Sequence, residues 1–331
     1  MIDRLFGIDA FRLLAAFCVI SLHVGLEPWF KEEIGSLVRL SGRWAIPFFF
    51  LTTGYFLGQK DSLLRASLPL AKAAIIFCVA SIIMVLLDIY SIGIHKTLSY
   101  AFSGEFLFRG TYFHLWFLSS MIVGLLVVYI SDYYEIHSLL PALSLVAAVF
   151  YLLAGAYKPN LKDLIGIARH FSSVIFIYAG MLISRRGPCF RASVALVALG
   201  VVMEVGEAWA ISRTLNKSPY WFQFLVGTIP FSIGMFGLAS NMQNTVAVRL
   251  AGRLGERYAL GVYIIHPYFI VLVKGIGRTL HVDQSVFFGV ALVPAIFIFS
   301  LGSLMLVNRF SPFIIDLMAA DRRAIKKLDF L

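Results

Sequence analysis

The chain has 331 residues, 60% of them hydrophobic and 14% charged, against about 45–50% and 25% in soluble domains. With a mean hydropathy of +0.87, this balance excludes a soluble enzyme and a disordered segment, and roughly ten spans of about 20 residues leave no room for a large soluble domain. The net charge of +10 fits basic loops facing anionic headgroups, with no nucleic-acid partner implied. The expected fold class is all-α, a polytopic membrane helix bundle of about ten transmembrane helices in one domain over residues 1–331. A short basic tail at 309–331 would sit at the inner leaflet. Cys18, Cys78 and Cys189 lie in or beside apolar segments without paired spacing, so neither a disulfide framework nor a metal site is expected.

The predicted spans are 8–26, 44–58, 69–90, 112–130, 139–156, 169–184, 191–211, 221–239, 258–275 and 286–308. The first is read as a retained span, because Arg4 precedes it but no small-residue cleavage site follows. An even number of spans places both termini on one side. Placing them in the cytoplasm puts a modest majority of the 28 Lys and Arg residues inside, among them Lys60, Arg65, Arg185, Arg186, Arg191, Arg249, Arg253, Arg257 and Arg309.

The first span, IDAFRLLAAFCVISLHVGL, carries Asp9, Arg12 and His23. Ionisable groups at membrane depth are costly and mark wet cavities or substrate pathways. Arg12 and His23 are eleven residues apart, close to three helical turns, so they share a face at a separation of roughly 16 Å. Asp9, three residues before Arg12, can hold its guanidinium. The plain alternative is an arginine reaching to headgroups and a histidine bonded to a neighbouring helix.

The second span, RWAIPFFFLTTGYFLGQK, contains Pro47 and the small pair Thr53 and Gly54, which suits close helix packing. Arg65 follows in QKDSLLRASLPLAK, as a donor contact or a plain loop charge. Residues 91–111, with His95, Lys96, Glu105 and Arg109, are too polar to span and form an outer loop. The fourth span opens HLWFL, which puts His114 and Trp116 near the outer surface, as site residues or as part of an aromatic belt. In the seventh, Glu204 and Glu207 share a helix face and either bind acceptor hydroxyls or pair with an arginine. The ninth, LGERYALGVYIIHPYFI, bears Tyr258, Tyr263, His266 and Pro267. His266 lies about 11 residues into its span and His23 15 residues beyond Ile8, so both belong to the middle and outer half of one cavity, roughly 16 and 22 Å deep. Pro267 frees a backbone carbonyl, which is tolerated where the backbone is buried in protein or lines a cavity.

Three of these strings resemble the acyltransferase-3 family: the Arg, ten residues, then His of the first span, the HLWFL string, and the tyrosine-bearing helix ending in His-Pro. The resemblance covers nearly the whole chain and is thin in spans five to eight. It implies an integral O-acyltransferase of the bacterial cytoplasmic (inner) membrane, with cytoplasmic acetyl-CoA as donor substrate and no permanently bound cofactor. The acceptor would be a hydroxyl of an envelope glycan or lipid-linked saccharide. By the same resemblance His23 is the catalytic base or acyl carrier, and Arg12, Asp9 and Arg65 serve the donor. His114, Trp116, Glu204, Glu207, Tyr263 and His266 are secondary candidates. Many members carry two arginines three apart near Arg65; here Ser62 and Leu68 flank it at that spacing, and Lys72 could replace the second arginine as a point charge but not as a planar fork. Some members append a soluble domain, which is not expected here. A transporter or flippase of a lipid-linked sugar is the competing class, although the matching halves common in transporters are not visible.

Overall fold

The computed structural model describes residues 5–26, 29–60, 65–216 and 224–319. These contain no strand. The helices, in order, are α1 (Phe6–Val24), α2 (Glu32–Ser41), α3 (Ala45–Gly58), α4 (Ser67–Ile92), α5 (Ile94–Ala101), α6 (Glu105–Arg109), α7 (Trp116–Tyr133), α8 (Leu140–Leu152), α9 (Ile165–Ala168), α10 (Ser172–Arg186), α11 (Phe190–Leu215), α12 (Thr228–Ser240), α13 (Val246–Thr279), α14 (Val286–Phe310) and α15 (Pro312–Met318). The all-α bundle expected from composition is the fold. Among the described residues, eight helices, some extended by short flanking turns, are long and apolar enough to cross a membrane. The predicted spans 44–58 and 221–239 correspond to the shorter α3 and α12, of 14 and 13 residues, and residues 221–223 lie outside the described residues. Exposed Ile82, Leu86, Val202 and Phe287 give α4, α11 and α14 the apolar outer surface that contact with lipid requires.

Four elements differ from the sequence reading. The connection after the first span contains the amphipathic helix α2. The polar stretch 91–111 folds into the short helices α5 and α6. The ninth span begins twelve residues early: α13 runs for 34 residues from Val246, with the Thr245 side chain accepting from the Val248 N–H, a helix-capping bond. Part of the expected tail is also helical, since Arg257 of α13 donates to Asn308 and Asp316 and so ties α14 and α15 to it. The basic residues at 322–327 lie outside the described residues.

The chain divides into two compact units, residues 1–45 with 235–331, and residues 46–234. In the first, α1 packs along α13. Gly252 lies against Phe6 and Gly255 against the backbone of Asp9, with no space for a side chain at either glycine. Small residues let the two backbones approach closely. Residue numbers rise together along this contact, so α1 and α13 run parallel, as the first and ninth of alternating spans must. Ile8, Ala15, Ala16, Val19 and Ile20 of α1 are fully buried. In the second unit, Gly54 of α3 abuts the Ile177 backbone of α10, and Gly180 of α10 abuts Leu51 of α3. The pair Thr53 and Gly54 therefore has the packing role expected of it, with the Thr53 hydroxyl bonded to the Phe49 carbonyl.

The orientation can be tested directly. A reporter fused after Leu331 is expected to give a cytoplasmic signal, and one inserted near Lys158 an external signal. An external signal at Leu331 would reverse the assignment.

Candidate functional site

The parallel packing of α1 and α13 brings two histidines together. His23, in the last turn of α1, places Nδ1 at 3.0 Å from Nε2 of His266. The rings are nearly parallel, at 20°, with centroids 5.1 Å apart. His266 is 0% exposed and His23 half-buried.

Pro267 decides how this pair is protonated. Having no N–H, it leaves the carbonyl four residues back, that of Tyr263, without its helical donor. His266 Nδ1 lies 2.7 Å from that carbonyl. A carbonyl only accepts, so Nδ1 of His266 carries the hydrogen, and Nε2 of the neutral ring is an acceptor. Nδ1 of His23 must then be the donor between the rings, and the lone pair of neutral His23 resides on Nε2. The His-Pro string and the interrupted helical ladder thus set the basic atom of a histidine on another helix.

At the other end of α1, Arg12 Nη1 meets Asp9 Oδ1 at 3.4 Å, both side chains largely buried. The expected hold of Asp9 on Arg12 is present. Tyr263 and Tyr258 are buried in α13.

The connection from α1 to α3 contributes groups that the sequence reading passed over. Gly42, at the end of α2, is seated on Leu22 and on the Cys18 carbonyl, and Trp44 packs against Phe11. Arg39 and Arg43 flank this turn and lie within electrostatic reach of the His23 ring. Lys274 of α13 donates to the Val24 carbonyl, one residue beyond His23, at 2.7 Å. The available signal was Arg43 at the apolar edge of RWAIP with Arg39 four residues earlier, on one face if the segment is helical.

The remaining candidates belong to the second unit. Arg65 is neither a plain loop charge nor an open cation: its Nε and Nη2 donate to the two carboxylate oxygens of Asp132 at 3.2 and 3.0 Å. Asp132 is 1% exposed, and His137 Nδ1 approaches it to 3.5 Å. Glu204 accepts from the Thr228 hydroxyl at 2.5 Å. Glu207 accepts the backbone N–H groups of Val226 and Gly227 at 3.0 and 2.7 Å, and the Tyr157 hydroxyl. The bonds made by these glutamates tie α11 to the start of α12 and to Tyr157, through peptide groups and hydroxyls. His114, in the short turn Phe113–Leu115 that leads into α7, is fully buried beside Tyr112 and Phe113. Trp116 lies under the Arg169 guanidinium, 5.2 Å from its ring centroid. Ser119 and His170, 3.2 Å apart and both buried, were not foreseen. Among the described residues no three His, Cys, Asp or Glu side chains are grouped to hold a metal ion.

A family model described as an acyltransferase domain matches residues 5–307. An amino-acid racemase of Enterococcus faecalis is 24% identical over 317 residues, covering 84% of this chain and 43% of that protein. A second amino-acid racemase of the same organism is 32% identical over 125 residues, covering 36% and 17%. A serine/alanine racemase of Enterococcus gallinarum is 29% identical over 160 residues, covering 46% and 22%. The chain therefore spans less than half the length of these curated relatives. No solved structure matches it.

Proposed function

The chain belongs to the acyltransferase-3 family, and on that premise we propose that it is a membrane O-acyltransferase moving an acetyl group from cytoplasmic acetyl-CoA to a hydroxyl of an envelope glycan or lipid-linked sugar. The bacterial cytoplasmic membrane, with both termini inside, is the location this reading needs. The observation that carries it is the His23–His266 pair, which directs the lone pair of His23 to Nε2. In one route that atom takes the proton of the acceptor hydroxyl as its oxygen attacks the thioester carbonyl. The C–S bond breaks, and the thiolate of CoA leaves and is protonated. In the other, Nε2 itself attacks the thioester carbonyl and the C–S bond breaks with loss of the CoA thiolate; the acceptor oxygen then attacks the acyl carbon, the N–acyl bond breaks, and the hydroxyl proton passes through the freed Nε2 to the thiolate. Both routes use the same nitrogen.

Arg12, held by Asp9, is the cation for the CoA phosphates near the inner surface. Arg65 serves the donor only if phosphate competes with Asp132 for its guanidinium. Arg12→Lys keeps the charge but loses the planar fork, so it should raise the KM for acetyl-CoA, and Arg12→Ala more so. An unchanged KM in Arg12→Ala would remove Arg12 from the donor site.

The test of the reading is CoA release by the purified full chain, with and without crude envelope glycan. Acceptor-stimulated release supports transfer; no release under either condition sinks it. The names of the relatives suggest a second acceptor, the hydroxyl of an amino acid. L-serine in the same assay separates the two.

A further inference from the structure

Arg39, Arg43 and Lys274 converge on the end of α1 that bears His23. Gly42 fixes the turn between the two arginines on Cys18 and Leu22. Nε of both arginines and one terminal nitrogen of Arg43 are shut off from solvent. Lys274 is fixed through the Val24 carbonyl and lies 5.8 Å from the centroid of the Trp29 ring, which is itself held by the Asp283 carbonyl at 2.6 Å. The carboxylates of α2, Glu32 and Glu33, are exposed at its opposite end. Cations at membrane depth mark a pathway for a substrate or ion.

We propose that Arg39, Arg43 and Lys274 form an anion subsite for the acceptor, so that the molecule acylated at His23 carries a carboxylate or phosphate close to its reactive hydroxyl. This rests on the acyl-transfer reading above. The donor's own phosphates do not fit here. The pantetheine arm of CoA holds the thioester well away from the phosphates. A thioester at His23 therefore directs them along α1 toward Arg12, roughly 16 Å distant at helical rise. Groups beside His23 face the acceptor.

The experiment compares matched acceptors with the purified full chain: glucuronate against glucose, and glycerol 3-phosphate against glycerol. The kcat/KM ratio of charged to neutral acceptor should be about tenfold or more, the usual size of a charge-assisted contact. It should fall toward one in Arg43→Gln and in Arg39→Gln, and survive in part in Arg43→Lys. The pair with the larger ratio identifies carboxylate or phosphate. A ratio near one for both pairs in the unaltered protein overturns the subsite, as does a ratio that persists in both glutamine variants. If Arg43→Gln does not fold, Arg39→Gln and Arg43→Lys decide by the same readout. If the protein turns over no acetyl-CoA at all, the acyl-transfer reading fails and binding decides the subsite. Glucuronate or glycerol 3-phosphate should then change tryptophan fluorescence, with about tenfold weaker apparent affinity in Arg39→Gln; no change with either anion overturns the subsite.

Discussion

His23→Gln is expected to lower acyl transfer by about 10²–10⁴-fold, the loss that follows removal of a general base, with normal expression and membrane insertion. Glutamine keeps much of the size and can donate its amide N–H toward His266, as the imidazole does. It can neither take a proton at that depth nor carry an acyl group. His23→Ala should be equally inactive. The control is His266→Gln. His266 touches His23 and not the reacting atoms in this reading, so its loss disturbs the tautomer and orientation of His23. That should cost about 10–100-fold, the scale of a buried donor left unsatisfied. The smaller loss should be mainly in kcat, with the KM for acetyl-CoA nearly unchanged. The measurement is CoA release at saturating acetyl-CoA. Near-normal activity in His23→Gln would make the histidine structural. A reversed order, with His266→Gln the deader variant, would move the chemistry to α13.

Asp132→Ala is expected to destabilise the second unit strongly. Arg65 makes a bidentate contact with Asp132, and the two side chains are 12% and 1% exposed. Removing one member of a buried pair leaves the other charged and desolvated, which typically costs about 3–5 kcal/mol. Replacing both with apolar residues should recover most of the loss, because the desolvation cost of both ions disappears together. The experiment is a double-mutant cycle on the thermal midpoint in detergent, with Asp132→Ala, Arg65→Met and the combination. The single variants should melt several degrees below the parent and the double variant near it. If the two single losses simply add, the pair carries no coupling and the second unit does not depend on it for stability.

Much of this molecule follows from the sequence by itself. Composition determines the membrane class, because 60% apolar residues cannot be covered by the polar surface of a soluble domain. Runs of apolar residues determine the helices, because a backbone in lipid must satisfy its own hydrogen bonds and a helix does so locally. Helical spacing places Arg12 and His23 on one face and sets Asp9 against Arg12, since both relations lie within α1. The limits of local reading show at residues 29–45 and at Val246, where amphipathic stretches extend the helical structure beyond the apolar windows.

Tertiary structure decided the partners. His23 and His266 are 243 residues apart, and they meet because Gly252 and Gly255 let α13 approach α1. Arg65 and Asp132 are 67 apart, and the peptide groups that hold Glu207 lie 19 and 20 residues further along the chain. Each of these polar groups had several chemically suitable partners in the sequence. Which of them lies within about 3 Å, as a hydrogen bond demands, depends on which helices pack and in what register. Small residues at helix contacts set that packing through the whole fold. The same physics explains why Pro267 was legible as a break in the helical ladder, while its effect on the protonation of His23 required the position of a second helix.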